Sequence, residues 1–232
     1  MRFKLFLLFI ALLLVTGLVF GCSGGTQQQA SVGESSQDET GDTVEGSATE
    51  NPTKDNPLVV DEENGVVKVY TEVNAKYFVE PTRHGIIMVG GTYGDKPILS
   101  AYTEPADFYQ ALIDIGLKPG NNVKLDSPPG TIVEGDVVKV TVNVDGQDYD
   151  FSEIVKADPE LGWEPRFGGN LDNAGIKKTG CILCLDSCAV GITSNSKYGT
   201  KSFDGGTAKF YGKQEILKED KKPVIVSFEL AE

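Results

Sequence analysis

The chain has one histidine, one tryptophan and two methionines in 232 residues. A single histidine leaves no H-E-x-x-H pair. No G-x-S-x-G or P-loop spacing occurs either, so the commonest hydrolase and nucleotide-binding readings are excluded. Basic residues are also scarce. Lys and Arg number 21 against 34 Asp and Glu, a net charge of −13. Such a surface is repelled by phosphate backbones and anionic headgroups, which excludes nucleic acid as a partner and disfavours electrostatic docking on a membrane. Cysteine is sparse too, with four in all. Cys22 stands alone, while Cys181, Cys184 and Cys188 share the stretch CILCLDSCAVGI.

What the chain does have begins at its first residues. Arg2 and Lys4 precede an apolar run from Leu5 to Val19, which leads to Gly21-Cys22. This is the layout of an export signal. Its ending resembles a bacterial lipobox, with Val19 at −3, Gly21 at −1 and Cys22 as the lipid acceptor, although Phe20 is bulky for −2. An uncleaved anchor is the alternative, because the run approaches the lower limit of about 17 residues for a span. The expectation is residues 1–21 as a lipoprotein signal peptide, with the protein held on the extracytoplasmic face of the cell membrane through lipidated Cys22. Residues 22–57 are polar and acidic and cannot bury enough apolar surface to offset ordering, so they read as a disordered tether. A flexible chain of this length reaches on the order of 30 Å, far enough to meet a membrane redox protein.

Residues 58–232 read as one domain. The runs Leu58–Val60 and Val66–Val73 flank Asn64-Gly65, a hairpin signal. Ile86–Val89 and Pro97–Tyr102 are strand candidates. Phe108, Ala111, Leu112 and Ile115 form one apolar stripe after Pro105 and before Gly116, which predicts the main helix. Asp136–Val144 alternates strictly and turns at Asp145-Gly146. Thr207–Tyr211 and Pro223–Leu230 read as a last antiparallel pair. The predicted class is α+β, a mostly antiparallel sheet with one main helix and a cysteine-containing loop segment at 177–195.

The run AYTEPADFYQALIDIGLKPG, residues 101–120, resembles the core of YdjY-type domains of bacterial exported proteins, as does His84 shortly before Gly90-Gly91. With the segment from Gly180-Cys181 to Asn195, the resemblance covers most of residues 58–232. It implies a fold-level grouping and, through the ferredoxin-like name linked with the family, a four-iron four-sulfur cluster. It implies no settled reaction.

Cys181, Cys184 and Cys188 match the last three ligands of the bacterial cluster run C-x2-C-x2-C-x3-C-P. Lys178 stands where the first ligand would fall, and Ala189 replaces the proline. An iron–sulfur cluster or single metal ion here would have three thiolates, with His84, Asp186 or water as the fourth ligand, and Lys177 and Lys178 to offset the charge. The signal lacks a twin-arginine pair, so export of an unfolded chain would strip a cluster loaded in the cytosol. Oxidising compartments favour disulfides, yet three cysteines leave one unpaired. Cys181-x-x-Cys184 therefore also reads as a redox dithiol or a structural disulfide, and packing alone remains open. Two function classes follow. One is a lipid-anchored metal-binding or electron-transfer component that is not a stand-alone enzyme. The other is a non-enzymatic binding or assembly lipoprotein.

Overall fold

The computed structural model describes residues 50–231. The signal segment, Cys22 and the tether up to residue 49 lie outside the described residues. In chain order the elements are β1 (Leu58–Asp61), β2 (Val66–Val73), β3 (His84–Met88), β4 (Leu99–Ala101), α1 (Pro105–Asp114), β5 (Val138–Val144), β6 (Gln147–Asp150) and β7 (Val155–Asp158). There follow β8 (Pro165–Phe167), α2 (Leu171–Lys177), β9 (Cys181–Cys184), β10 (Thr193–Asn195), β11 (Lys209–Gly212), α3 (Gln214–Leu217) and β12 (Pro223–Leu230).

Strict alternation builds one half of the sheet. Val138, Val140, Val142 and Val144 of β5 are buried, as are Val224, Val226 and Phe228 of β12 and Val67, Val69 and Val73 of β2. Each such apolar side chain taken from water contributes about 1.5–3 kcal/mol. The β1–β2 hairpin runs from Leu58 opposite Val69 to Asp61 opposite Val66, and the Asn64 amide closes the turn by donating to the Asp61 carboxylate. Asp145 and Gly146 take positive φ at the β5–β6 turn. The helix α1 buries Phe108, Ala111 and Leu112, and the Phe108 ring meets Phe228 edge-on at 4.7 Å, so it lies against β12.

The class expected from the sequence is corrected by the rest. Among the described residues 33% are strand and 16% helical, around one large curled mixed sheet. Its path is β6-β5-β12-β2-β4-β3-β9-β10-β8, with β1 added on β2. The pairs β3–β4 and β9–β10 are parallel. The helix α1 is joined by α2 and α3, and the fold is mostly β rather than an α+β domain with one main helix. The cysteine-containing loop is also corrected, because Cys181–Cys184 is a fully buried strand. The reason is common to these differences. Central strands covered on both faces show no alternation, and β3, β4, β9 and β10 are almost wholly buried. The expected last pair also separates. β11 pairs with β7 in a second, two-stranded sheet, whereas β12 sits between β2 and β5.

Residues assigned by composition to the end of the tether lie against the sheet. Pro52 is buried, the Tyr70 amide donates to the Pro57 carbonyl at 2.9 Å, and the Lys54 ammonium reaches Glu72 at 2.9 Å. Packing thus begins a few residues before Leu58.

Candidate metal centre

A C-x-x-C on a regular strand points its two side chains to opposite faces, because side chains alternate with period 2. The register between β3 and β9 is not regular. His84 faces Cys184, Ile86 faces Leu183 and Ile87 faces Cys181, with shifts on either side of Ile86. The irregularity brings Cys181 and Cys184 together, with His84 from the neighbouring strand beside them. One ligand atom from each of His84, Cys181 and Cys184 lies within 4.8 Å of the others. These three residues could hold a metal ion. All three cysteines of the domain are free thiols, buried with Ile87 in one small cluster against Val190.

Cys188 joins through Cys184, to which it is hydrogen-bonded. The two thiols are driven apart in acidity. Hydrogen bonds to Cys181 and Cys188, followed by burial, push Cys184 well up. The hydrogen bond from Cys184 pulls Cys188 down to about 7, against burial and with help from the Arg83 guanidinium. Of these two Cys188 ionises first, and it is the one that lines surface clefts.

Burial, then the Arg83 and Lys96 charges, hold His84 down at about 3, so its imidazole is neutral at physiological pH. Its Nδ1 is buried and has no hydrogen-bond partner among the described residues. A neutral ring with an unspent nitrogen beside two thiols is the donor chemistry of zinc and similar ions. The Ser194 hydroxyl is likewise unpartnered. At Gly191 an added Cβ would come within 3.0 Å of the Cys184 sulfur, so only glycine lets the backbone approach there.

Arg83 lies behind the centre. Its Nε and Nη2 donate to Asp186 Oδ1 at 3.0 and 2.7 Å, and its Nη1 donates to Asp204 at 2.8 Å. Asp186, offered by the sequence as a fourth ligand, is therefore committed to Arg83, and its other oxygen accepts from the Phe203 amide. Asn170, which follows Gly168 and Gly169, clamps the cysteine loop. Its Nδ2 donates to the carbonyls of Cys188 at 3.0 Å and Gly191 at 3.3 Å, and Asn173 Nδ2 donates to Ala189 at 2.9 Å. The positive φ of Asn170 is the signal that sequence could have weighed, since Asn tolerates that region. Lys177 ends α2 on the cleft beside Cys188, whereas Lys178 caps the helix and faces a different hollow. Trp163 stacks on Phe151 at 5.1 Å, and Phe167 packs on Tyr109 at 5.2 Å.

A family model described as the YdjY domain matches residues 58–229. The chain belongs to the YdjY family. The uncharacterized protein YdjY of Escherichia coli strain K12 is 38% identical over 179 residues, covering 76% of this chain and 80% of that protein. No solved structure matches. The YdjY part of the expectation is thus shown. The ferredoxin-like part gains no support from this match, and two of its three cysteines sit on a central strand. What this chain brings together is the histidine–cysteine group rather than a cluster loop.

The unequal thiols give an expected result. In metal-free protein, iodoacetamide should modify Cys188 first, with a rate that rises through about pH 7 as its thiolate forms. Peptide mass spectrometry across pH 5 to 9 reads this directly. Equal labelling of Cys184 and Cys188 at neutral pH would contradict the assignment.

Proposed function

We propose that this YdjY-domain protein binds one metal ion through His84, Cys181 and Cys184, with Cys188 as the fourth donor, and that it does so at the outer face of the cell membrane, anchored through Cys22. The observation that carries the metal reading is the convergence of His84 with Cys181 and Cys184 across the irregular β3–β9 pairing. Four donors of this type form a Cys3His set, the closed tetrahedral arrangement of structural or electron-carrying ions. Ligands at ~2.0–2.3 Å from one ion stand about 3.5–3.8 Å from each other, so a limit of 4.8 Å suits a single ion after slight contraction. A four-iron core would have to be inserted between ligand atoms that already lie within 4.8 Å of one another, which supports the single ion over the cluster.

Arg83 supplies positive charge beside the thiolates, and His84 enters neutral, with no proton to lose. Both lower the cost of assembling a negative ligand set around a cation. The anchor reading is supported by the Gly21-Cys22 ending and the polar segment that follows it. Within that reading the tether lets the domain reach a membrane-bound redox partner.

The test uses the full chain expressed in a bacterial host without oxygen. Labelled fatty acid should enter the wild type and not Cys22→Ala, and both should hold one metal per chain when offered zinc or cobalt. Cobalt would add thiolate charge-transfer absorption. Protein that takes up no metal and carries a Cys181–Cys184 disulfide would replace the metal reading with a dithiol. Label entering Cys22→Ala would remove the anchor.

A further inference from the structure

Cys188 and Arg83 open together onto a cleft of about 440 Å³, a volume in the range of small-molecule sites. The cleft is lined by four cationic side chains, Arg83, Lys124, Lys177 and Lys201, against one carboxylate, Asp204. Its sign is opposite to that of the whole chain, whose net charge is −13. Concentrating like charges in one concavity costs free energy through their mutual repulsion, and an anion placed among them reverses that term.

Two of the four cations have work elsewhere. Arg83 is spent on Asp186 and Asp204, and the Lys124 ammonium donates to the Asn121 carbonyl at 2.7 Å. Lys177 and Lys201 line the cleft with no side-chain partner among the described residues. A second observation is independent of charge. Thr179 lines the same cleft, and its hydroxyl is buried just behind that wall with no hydrogen-bond partner among the described residues. A buried hydroxyl left unpaired is costly, and a ligand oxygen in the cleft would satisfy it.

We propose that this cleft binds a small molecule bearing a phosphate or carboxylate group, with Lys177 and Lys201 pairing the anion, Thr179 donating a hydrogen bond, and Cys188 at its edge. The cleft stands on its own residues. Only its closeness to an ion at Cys188 rests on the metal reading above.

Calorimetric titration of the full chain in neutral detergent micelles, with inorganic phosphate and succinate as probes, tests it. Either probe should bind the wild type, and the Lys177→Glu, Lys201→Glu double variant should weaken binding about 10-fold or more, since each charge-assisted contact is lost and replaced by repulsion. Thr179→Val should weaken it by a smaller factor, about 3-fold, as a neutral hydrogen bond does. Circular dichroism melts confirm that each variant is folded. Cys184→Ser separates the two readings, because it should lose metal and keep phosphate binding. Wild type that binds phosphate but no metal leaves the cleft standing and removes the metal. Micelles doped with phosphatidylglycerol identify the source. Abolished phosphate heat would mean that a lipid headgroup occupies the cleft, and unchanged heat that a soluble anion does. Equal affinity in the wild type and the double-lysine variant, or no binding of either probe to the wild type, would overturn the proposal.

Discussion

Cys184→Ser should leave the protein folded and lower its metal affinity more than about 100-fold, a larger loss than the 10–100-fold that substitutions around metal ligands produce. Cys184 faces His84 across the strand pair and is hydrogen-bonded to both other thiols, so it is the one donor that touches every other member of the group. Serine keeps a small polar group at a site with no exposure, but it supplies no thiolate. Competition against a chromophoric zinc chelator measures the affinity. Cys188→Ser should do less, because Cys188 meets the group only through Cys184. Stoichiometric zinc in Cys184→Ser at chelator concentrations that strip a weak site would show that the donors do not act together.

Arg83→Met should be the most damaging change outside the apolar core. Asp186 is completely buried, and its only cationic partner at contact distance among the described residues is Arg83, at 2.7 Å. Removing one member of such a pair strands the other, at a cost of ~3–5 kcal/mol. The pH dependence follows from Asp186. Burial pushes its carboxyl up from an ordinary 3.8 to about 6, against the pull of Arg83. A folded-state value above the unfolded one means that folding binds a proton between the two. Stability from this group is therefore present in acid and lost as pH rises from about 4 to about 6. Without the guanidinium the folded value climbs further and the loss continues to higher pH. The gap between Arg83→Met and wild type in urea unfolding should be smallest near pH 4 and widest at neutral pH. Adding Asp186→Asn to Arg83→Met should recover most of it. A flat gap of under about 1 kcal/mol across this range would mean that Asp186 is stabilised by something other than the pair.

The half of the molecule that was legible in the sequence is the half with one wet face. In β2, β5 and β12 every second side chain is buried, and α1 carries its stripe on Phe108, Ala111 and Leu112. The half that holds the centre was not legible for the same physical reason. β10 is Thr-Ser-Asn and reads as loop, yet all three residues are buried, with Thr193 bonded to the Ile182 carbonyl and Asn195 accepting from the amides of Glu164 and Lys197. The polarity of Thr193 and Asn195 is neutralised by partners that no local pattern reveals. The three cysteines were visible as a group, and His84 stood among the possible fourth ligands. What local spacing could not supply was the irregular register that turns Cys181 and Cys184 to one side, or the long-range clamps from Arg83 and Asn170.

That register also determines when the centre can exist. His84 and Cys181 are nearly a hundred positions apart along the chain, joined only when β3 and β9 pair. Contacts of such high sequence separation form late, after the entropy of closing the intervening loop has been met. Under the anchored metal-binding reading proposed above, a chain that crosses a membrane unfolded would carry no binding site during the crossing, so the ion it finally holds would be selected from the outside medium by the finished fold. The identity of the metal would then report on the environment of the cell rather than on its cytosolic supply.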